Sequence, residues 1–145
     1  MNTKKIVLYG VLLFMLSFLC GCSATSRGMK HADEAITRGD YYTAAIEYLN
    51  VLQIDRKHSE ALTNLANIAK PAYEQKLKMA EGYQAQGNFE ASLVEYKDLE
   101  IYISRLKAFN LLNFVTIDTG QAIRKVSMAA AEKHYLQAEK RMSVG

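Results

Sequence analysis

The chain has 145 residues and a formal charge of +3, with half of its residues hydrophobic and 23% charged. Acidic and basic residues are interspersed, and no Lys/Arg block of the kind that tracks phosphates occurs, which argues against nucleic-acid binding. A single proline, no tryptophan and an abundance of Ala, Leu, Glu, Lys and Gln point to an all-α chain.

The N-terminus opens with Lys4 and Lys5, continues through an uncharged stretch from Ile6 to Leu19, and reaches Leu19, Cys20, Gly21 and Cys22. This is a short basic region, a hydrophobic region and a small-residue cleavage site, the order of a secretory signal peptide. The apolar run is 14 residues, short of the roughly 20 that a helix needs to cross a bilayer, so cleavage is expected rather than a permanent span. The run Leu, Cys, Gly, Cys resembles the bacterial lipobox. In that motif a leucine three positions before a cysteine, and a small residue just before it, direct cleavage ahead of a diacylated thiol. The resemblance implies that residues 1–21 are a signal peptide and that Cys22 carries the lipid. Cys20 is the competing acceptor, but Leu19 is bulky for the position before the cut. Cleavage at Cys22 removes Cys20 and modifies the remaining thiol, so neither a disulfide framework nor a cysteine metal site is expected. Ser23 follows the cysteine, where Asp resembles an inner-membrane retention signal. Outer-membrane delivery, facing the periplasm, is therefore the expectation for a Gram-negative source, with the inner membrane and the cell surface as alternatives.

Loss of residues 1–21 leaves 124 residues and, with Lys4 and Lys5 gone, reduces the charge from +3 to +1. That is enough chain for one modest domain. Residues 22–28, small and polar after Cys22, read as a lipidated tether, and 29–142 as the helical domain.

Two segments within that domain align residue for residue: Gly39, Asp40, Tyr41, Ala44, Tyr48, Val51, and Gly87, Asn88, Phe89, Ser92, Tyr96, Leu99. Each glycine suits the left-handed end of one helix, and each Asp or Asn suits the cap of the next. An aromatic follows, and three residues later comes a small side chain where two helices can approach. The pattern resembles the tetratricopeptide repeat, and implies about five or six helices in a stack of antiparallel hairpins. Arg56 stands where that family usually ends a repeat with proline, and Ala35 where its first helix usually carries an aromatic.

The two turns lie 48 residues apart, against a family period of about 34, an excess of roughly four helical turns. Either the helix from Ser59 to Gln86 is elongated or a further helix is inserted. Pro71 favours division, because proline costs about 3 kcal/mol inside a helix but fits its first turn. The expected elements are Ser59 to Ala69 and Pro71 to Gln86. Leu62, Leu65, Ala66 and Ala69 mark the core face of the first, and Leu77, Ala80 and Tyr83 that of the second. From Phe89 the periodicity runs through Leu93, Tyr96, Leu99, Ile103 and Leu106. Phe109, Leu111, Leu112, Phe114, Val115 and Ile117 then form an apolar stretch that reads as core, cap or interface. A last helix carries Met128, Ala131, Tyr135, Ala138 and Met142 at spacings of three and four, a seam suited to capping the repeats or to packing on a partner.

No chemistry-bearing constellation emerges. His31, His58 and His134 are scattered without metal-ligand spacing, Gly82 and Gly87 build no phosphate loop, and Glu95, Asp98 and Glu100 read as a solvated helix face. No metal, cofactor, small-molecule substrate or enzymatic activity is expected. Tyrosine is unusually frequent. Repeat architecture accounts for Tyr41, Tyr48, Tyr83 and Tyr96 as core or inter-helix residues. Tyr42, Tyr73 and Tyr102 remain, and tyrosines are enriched at interfaces, so these three are the candidate partner-binding residues. The expected function is a membrane-anchored lipoprotein adaptor or assembly factor for a protein partner in the cell envelope, pilotin-like, serving a pilus, secretion or outer-membrane machine. The alternative is a structural or self-associating colonisation lipoprotein that buries Phe109 to Ile117 in a dimer.

Overall fold

A computed structural model describes residues 24–144. The expected signal peptide, Cys20, Cys22 and Ser23 lie outside the described residues. Those described form helix hairpins without strands: α1 (24–37), α2 (Tyr41–Ile54), α3 (Ser59–Ala85), α4 (Phe89–Leu106), a 3-10 turn (Lys107–Phe109) and α5 (Thr119–Val144). The all-α architecture and the helix number follow the sequence expectation.

The matched turns of the sequence are matched in geometry. After α1, the Gly39 N–H donates to the Ile36 carbonyl and the Asp40 N–H to that of Ala35, each at 2.9 Å; after α3, Gly87 and Asn88 donate in the same way to Gln84 and Tyr83 at 3.0 and 2.9 Å. This paired closure needs a left-handed residue, and the two glycines supply it with φ of +73° and +69°. Asp40 and Asn88 then cap α2 and α4 through Oδ1, which accepts from the Thr43 and Ala91 N–H groups. Ala44 and Ser92, the paired small residues, are both fully buried, as are Val51 and Leu99.

Two expectations are corrected locally. Residues 24–28 of the anticipated tether are the first turns of α1. Gly28 lies against α2, so that a Cβ there would come within 2.7 Å of Val51 Cγ2. Its small size reflects close helix packing, not flexibility. The helix break expected at Lys70 does not occur either, and α3 continues as one 27-residue helix with Pro71 inside it. Proline removes a single N–H, leaving the Asn67 carbonyl without its i+4 partner. The packing of the helix on both sides of that position compensates: Leu65, Ile68, Ala69, Ala72 and Tyr73 form one continuous buried stripe.

The contacts of the chain divide into two compact units, one ending at Asn67 and the other beginning at Ile68. At 1.5 Å per residue α3 is about 40 Å long, long enough for its first part to serve one unit and its second part the other. In the first unit, Tyr48 of α2 donates to Asp33 Oδ1 of α1 at 3.0 Å and accepts from Asn64 Nδ2 of α3 at 3.3 Å. One buried hydroxyl thus ties three helices. In the second unit, Ala80, Tyr96 and Val126 are packed about by Leu77, Phe89, Leu93, Ile117, Ala122 and Ile123. Ser92 Oγ donates to the Ala80 carbonyl at 2.8 Å, which brings α3 and α4 together at their small residues.

Candidate functional site

The three sequence-selected tyrosines do not form a groove. Tyr73 is 2% exposed and Tyr102 0%, and both hydroxyls are satisfied inside the second unit. Tyr102 donates to the Ala69 carbonyl at 3.0 Å. Tyr73 Oη accepts the Thr116 N–H and lies 3.2 Å from Thr116 Oγ1, while its ring tilts against Phe114 at 5.6 Å. Their assignment to a partner surface is therefore corrected: these are core residues that fasten α3 to α4 and to the segment after α4. The signal was present in the sequence. If α3 is continued through Pro71, Tyr73 falls in phase with Leu65, Ala69, Lys76 and Ala80, and the expected break hid that phase. Tyr42 belongs to the first unit and is half-buried. Of the tyrosines expected in the core, Tyr48 and Tyr96 are buried, whereas Tyr41 is exposed.

Glu95 and Asp98 are also reassigned. They converge on Lys76, which is only 7% exposed, with Nζ at 2.6 Å from Glu95 Oε2 and 2.8 Å from Asp98 Oδ2. Burial pulls the Lys76 pKa down, but the hydrogen bonds and charges of Asp98 and Glu95 outweigh it and leave the pKa above its ordinary value. The cluster joins α3 to α4, and the residues lining the two surface hollows described below do not include it. Its role is structural.

The accessible features gather on α5. Lys133 donates to the Gly87 carbonyl at 2.8 Å and lies 5.7 Å from the centre of the Phe89 ring. His134 Nε2 meets Glu90 Oε1 at 2.8 Å. The Glu90 carboxyl is held below its ordinary pKa by its own backbone N–H at the start of α4; desolvation opposes this, and Lys133 and His134 add to it. These contacts fasten α5 to the start of α4 and border a groove of about 440 Å³. Phe89, Ala129 and Leu136 give it apolar walls, and Glu132, Lys133 and Lys140 supply charge. A second, more polar hollow of about 720 Å³ lies beside Thr116, Asp118, Gln121, Arg124 and Met128. Sequence reasoning missed Leu136, which is 55% exposed, because it falls outside the three-and-four seam of α5.

Of the two roles the sequence left open for that seam, a cap on the repeats and packing on a partner, the cap is not seen. Val126 and Ala130 face inward, whereas Met128, Ala131, Tyr135, Ala138 and Met142 are all exposed. The apolar stretch after α4 is half-buried in its own unit and held through Thr116. His58 caps α3, its Nδ1 accepting the Ala61 N–H at 3.2 Å. Among the described residues no group of three His, Cys, Asp or Glu side chains is placed to hold a metal ion, and no helix is long and apolar enough to cross a membrane. No protein-family model matches the chain, no curated protein matches it, and no solved structure matches its fold.

Proposed function

We propose that this chain is a bacterial lipoprotein, anchored through Cys22, that holds a protein partner at an envelope membrane as an adaptor or assembly factor. The observation that carries the reading is the N-terminal run itself. Two lysines, an apolar stretch and Leu19, Cys20, Gly21, Cys22 form a short signal region ahead of an all-helical body. Acyl chains on Cys22 supply about 0.8 kcal/mol for each buried methylene, so a multiply acylated cysteine holds firmly. For a Gram-negative source, Ser23 in place of an aspartate favours delivery to the outer membrane, facing the periplasm. A pilus, secretion or outer-membrane machine is the class of partner we propose.

The partner-binding residues move from the tyrosines to the α4/α5 groove. Its apolar walls, Phe89 and Leu136, lie beside Lys133 and Lys140, a chemistry suited to a segment that offers apolar anchors and acidic flanks. Membranes carrying the intact protein, Cys22→Ala and Leu136→Glu are compared by mass spectrometry of the N-terminal peptide and by affinity capture. Diacyl or triacyl modification at Cys22, lost in Cys22→Ala together with membrane association, supports the anchor. An unmodified Cys22 overturns it. Partners retained in full by Leu136→Glu overturn the groove while leaving the anchor standing.

A further inference from the structure

The two units are built on one three-helix plan. In the second, Ala80 of α3, Tyr96 of α4 and Val126 of α5 form the centre of the core. In the first, Ala32 of α1, Tyr48 of α2 and Leu65 of α3 are their counterparts, 48 residues earlier for the first two and 61 for the third, and all three are fully buried. Ala61 and Ala69, one turn to either side of Leu65, recur as Ala122 and Ala130, one turn to either side of Val126. The opening part of α3 and the opening part of α5 therefore hold the same station, each as the third helix of its unit. Helix α3 does not stop there. Its continuation is covered by α4, which returns antiparallel to it across the Gly87 turn: Tyr102 donates to the Ala69 carbonyl, Ser92 donates to that of Ala80, and Glu95 and Asp98 hold Lys76. Helix α5 likewise continues past its third-helix station, and residues 134–143 are all exposed.

We propose that the continuation of α5 takes an amphipathic helix of the partner, antiparallel to it, as the continuation of α3 takes α4. This rests on the groove already described and gives the chemistry of its occupant. Ala129, Lys133 and Gln137 of that groove stand 61 residues after Ile68, Ala72 and Lys76, three buried residues of α3. The groove is thus the open counterpart of a stripe that the chain covers elsewhere with a helix of its own. That covering helix brings an apolar face and two carboxylates one turn apart. At the groove the counterpart of Lys76 is Gln137, and the cations stand a turn to either side, at Lys133 and Lys140. Lys133 is engaged by the Gly87 carbonyl and the Phe89 ring, so the exposed Lys140 is the one placed to meet a carboxylate. Glu132, about 12 Å before Lys140 along the helix, repels acidic groups from the other end. The occupant is therefore a helix with apolar side chains against Phe89 and Leu136 and acidic ones at the Lys140 end.

Helix α4 itself supplies the probe. A fluorescein-labelled peptide of residues 88–106, and the same peptide with Glu95→Gln and Asp98→Asn, are titrated by anisotropy with the full chain carrying Cys20→Ser and Cys22→Ser in mild detergent. The acidic peptide should bind saturably, and the amide peptide about tenfold more weakly. Leu136→Glu should weaken binding of the acidic peptide roughly tenfold or more, and Lys140→Gln should remove the difference between the two peptides. Both sites are exposed, and both variants should keep the circular dichroism of the parent. Met128→Glu, on another side of α5, should bind as the parent does. The proposal is overturned if the acidic peptide fails to bind, if the two peptides bind alike, or if Met128→Glu weakens binding as much as Leu136→Glu. It is overturned equally if binding survives Leu136→Glu, which would mean that the peptide displaces α4 from its own hairpin. A native partner lost from Leu136→Glu membranes, without peptide binding, would sink the helix and leave the groove standing. An unmodified Cys22 would sink the anchor and leave the helix standing.

Discussion

Two side chains of the core hold their protons unusually firmly, and each gives a measurable pH response. Burial of Tyr48 and its hydrogen bond to Asp33, partly offset by Asn64, push its pKa from 10.0 to about 12. The folded chain thus binds this proton more tightly than the unfolded chain. The resulting stabilisation is complete below pH 10 and is lost as the pH rises toward 12. Phenolate absorbance should show late titration at Tyr48 and, raised chiefly by burial, at Tyr96, and Asp33→Asn should bring only the Tyr48 step closer to the ordinary value. An unchanged Tyr48 step in that variant would remove Asp33 from the account. Lys76 behaves in the same direction: its pKa is raised above 10.5, so its stabilisation is whole below that pH and declines above it. Lys76→Ala leaves Glu95 and Asp98 facing each other without a cation, and should cost about 3 kcal/mol in denaturant unfolding, the scale of a broken buried ion pair. Glu95→Gln in that background should recover part of the loss by removing one of the facing charges. Neither of these two clusters was legible in the sequence, since each depends on side chains brought together from different helices. Lys76 lies 19 and 22 residues from its two partners, and no local periodicity marks a carboxylate that faces inward.

At the scale of elements, the turns were the most legible part of the chain and the long helix the least. Gly39 with Asp40, and Gly87 with Asn88, act within a few residues of themselves, through a left-handed closure and a side-chain cap, so the sequence alone places them. Pro71 misled for the opposite reason. Its local preference for a helix start is overridden by apolar packing on both sides of it, and the loss is confined to one hydrogen bond at the Asn67 carbonyl. Pro71→Ala restores that N–H and should raise unfolding stability by about 1 to 2 kcal/mol, a fraction of the full cost of an interior proline because α3 has already accommodated the ring. A thermal midpoint that is unchanged or lowered would show that the half-buried ring is needed for packing. Helix α5 shows the same limit from another side. The seam at Met128, Tyr135 and Met142 was visible as a pattern, but the pattern does not say which of two apolar stripes faces the core. Val126 and Ala130 turn inward because Ile117, Ala122 and Ile123 beside them pack on Ala80 and Tyr96.

For the molecule as a whole, composition and periodicity carry the helical class, whereas the proposed partner groove lies in a surface that only the fold defines. The groove at Phe89 lies between the start of α4 and α5. The longest stretch outside regular helix among the described residues, 110–118, carries a further consequence. Proteases act on segments that can be drawn out extended into their active-site clefts, and this stretch would be the natural place to sever α5 from the rest. Its Thr116 amide is engaged by the buried Tyr73 hydroxyl, and its apolar side chains are half-buried. Removing that hydroxyl by Tyr73→Phe should leave the fold in place and shorten the half-life of the chain under limited digestion, with the first cut near Phe114. Equal half-lives for the two proteins would show that side-chain burial alone protects the segment. A single phenol in the core, engaged by a loop, is thus expected to set how long the chain stays in one piece.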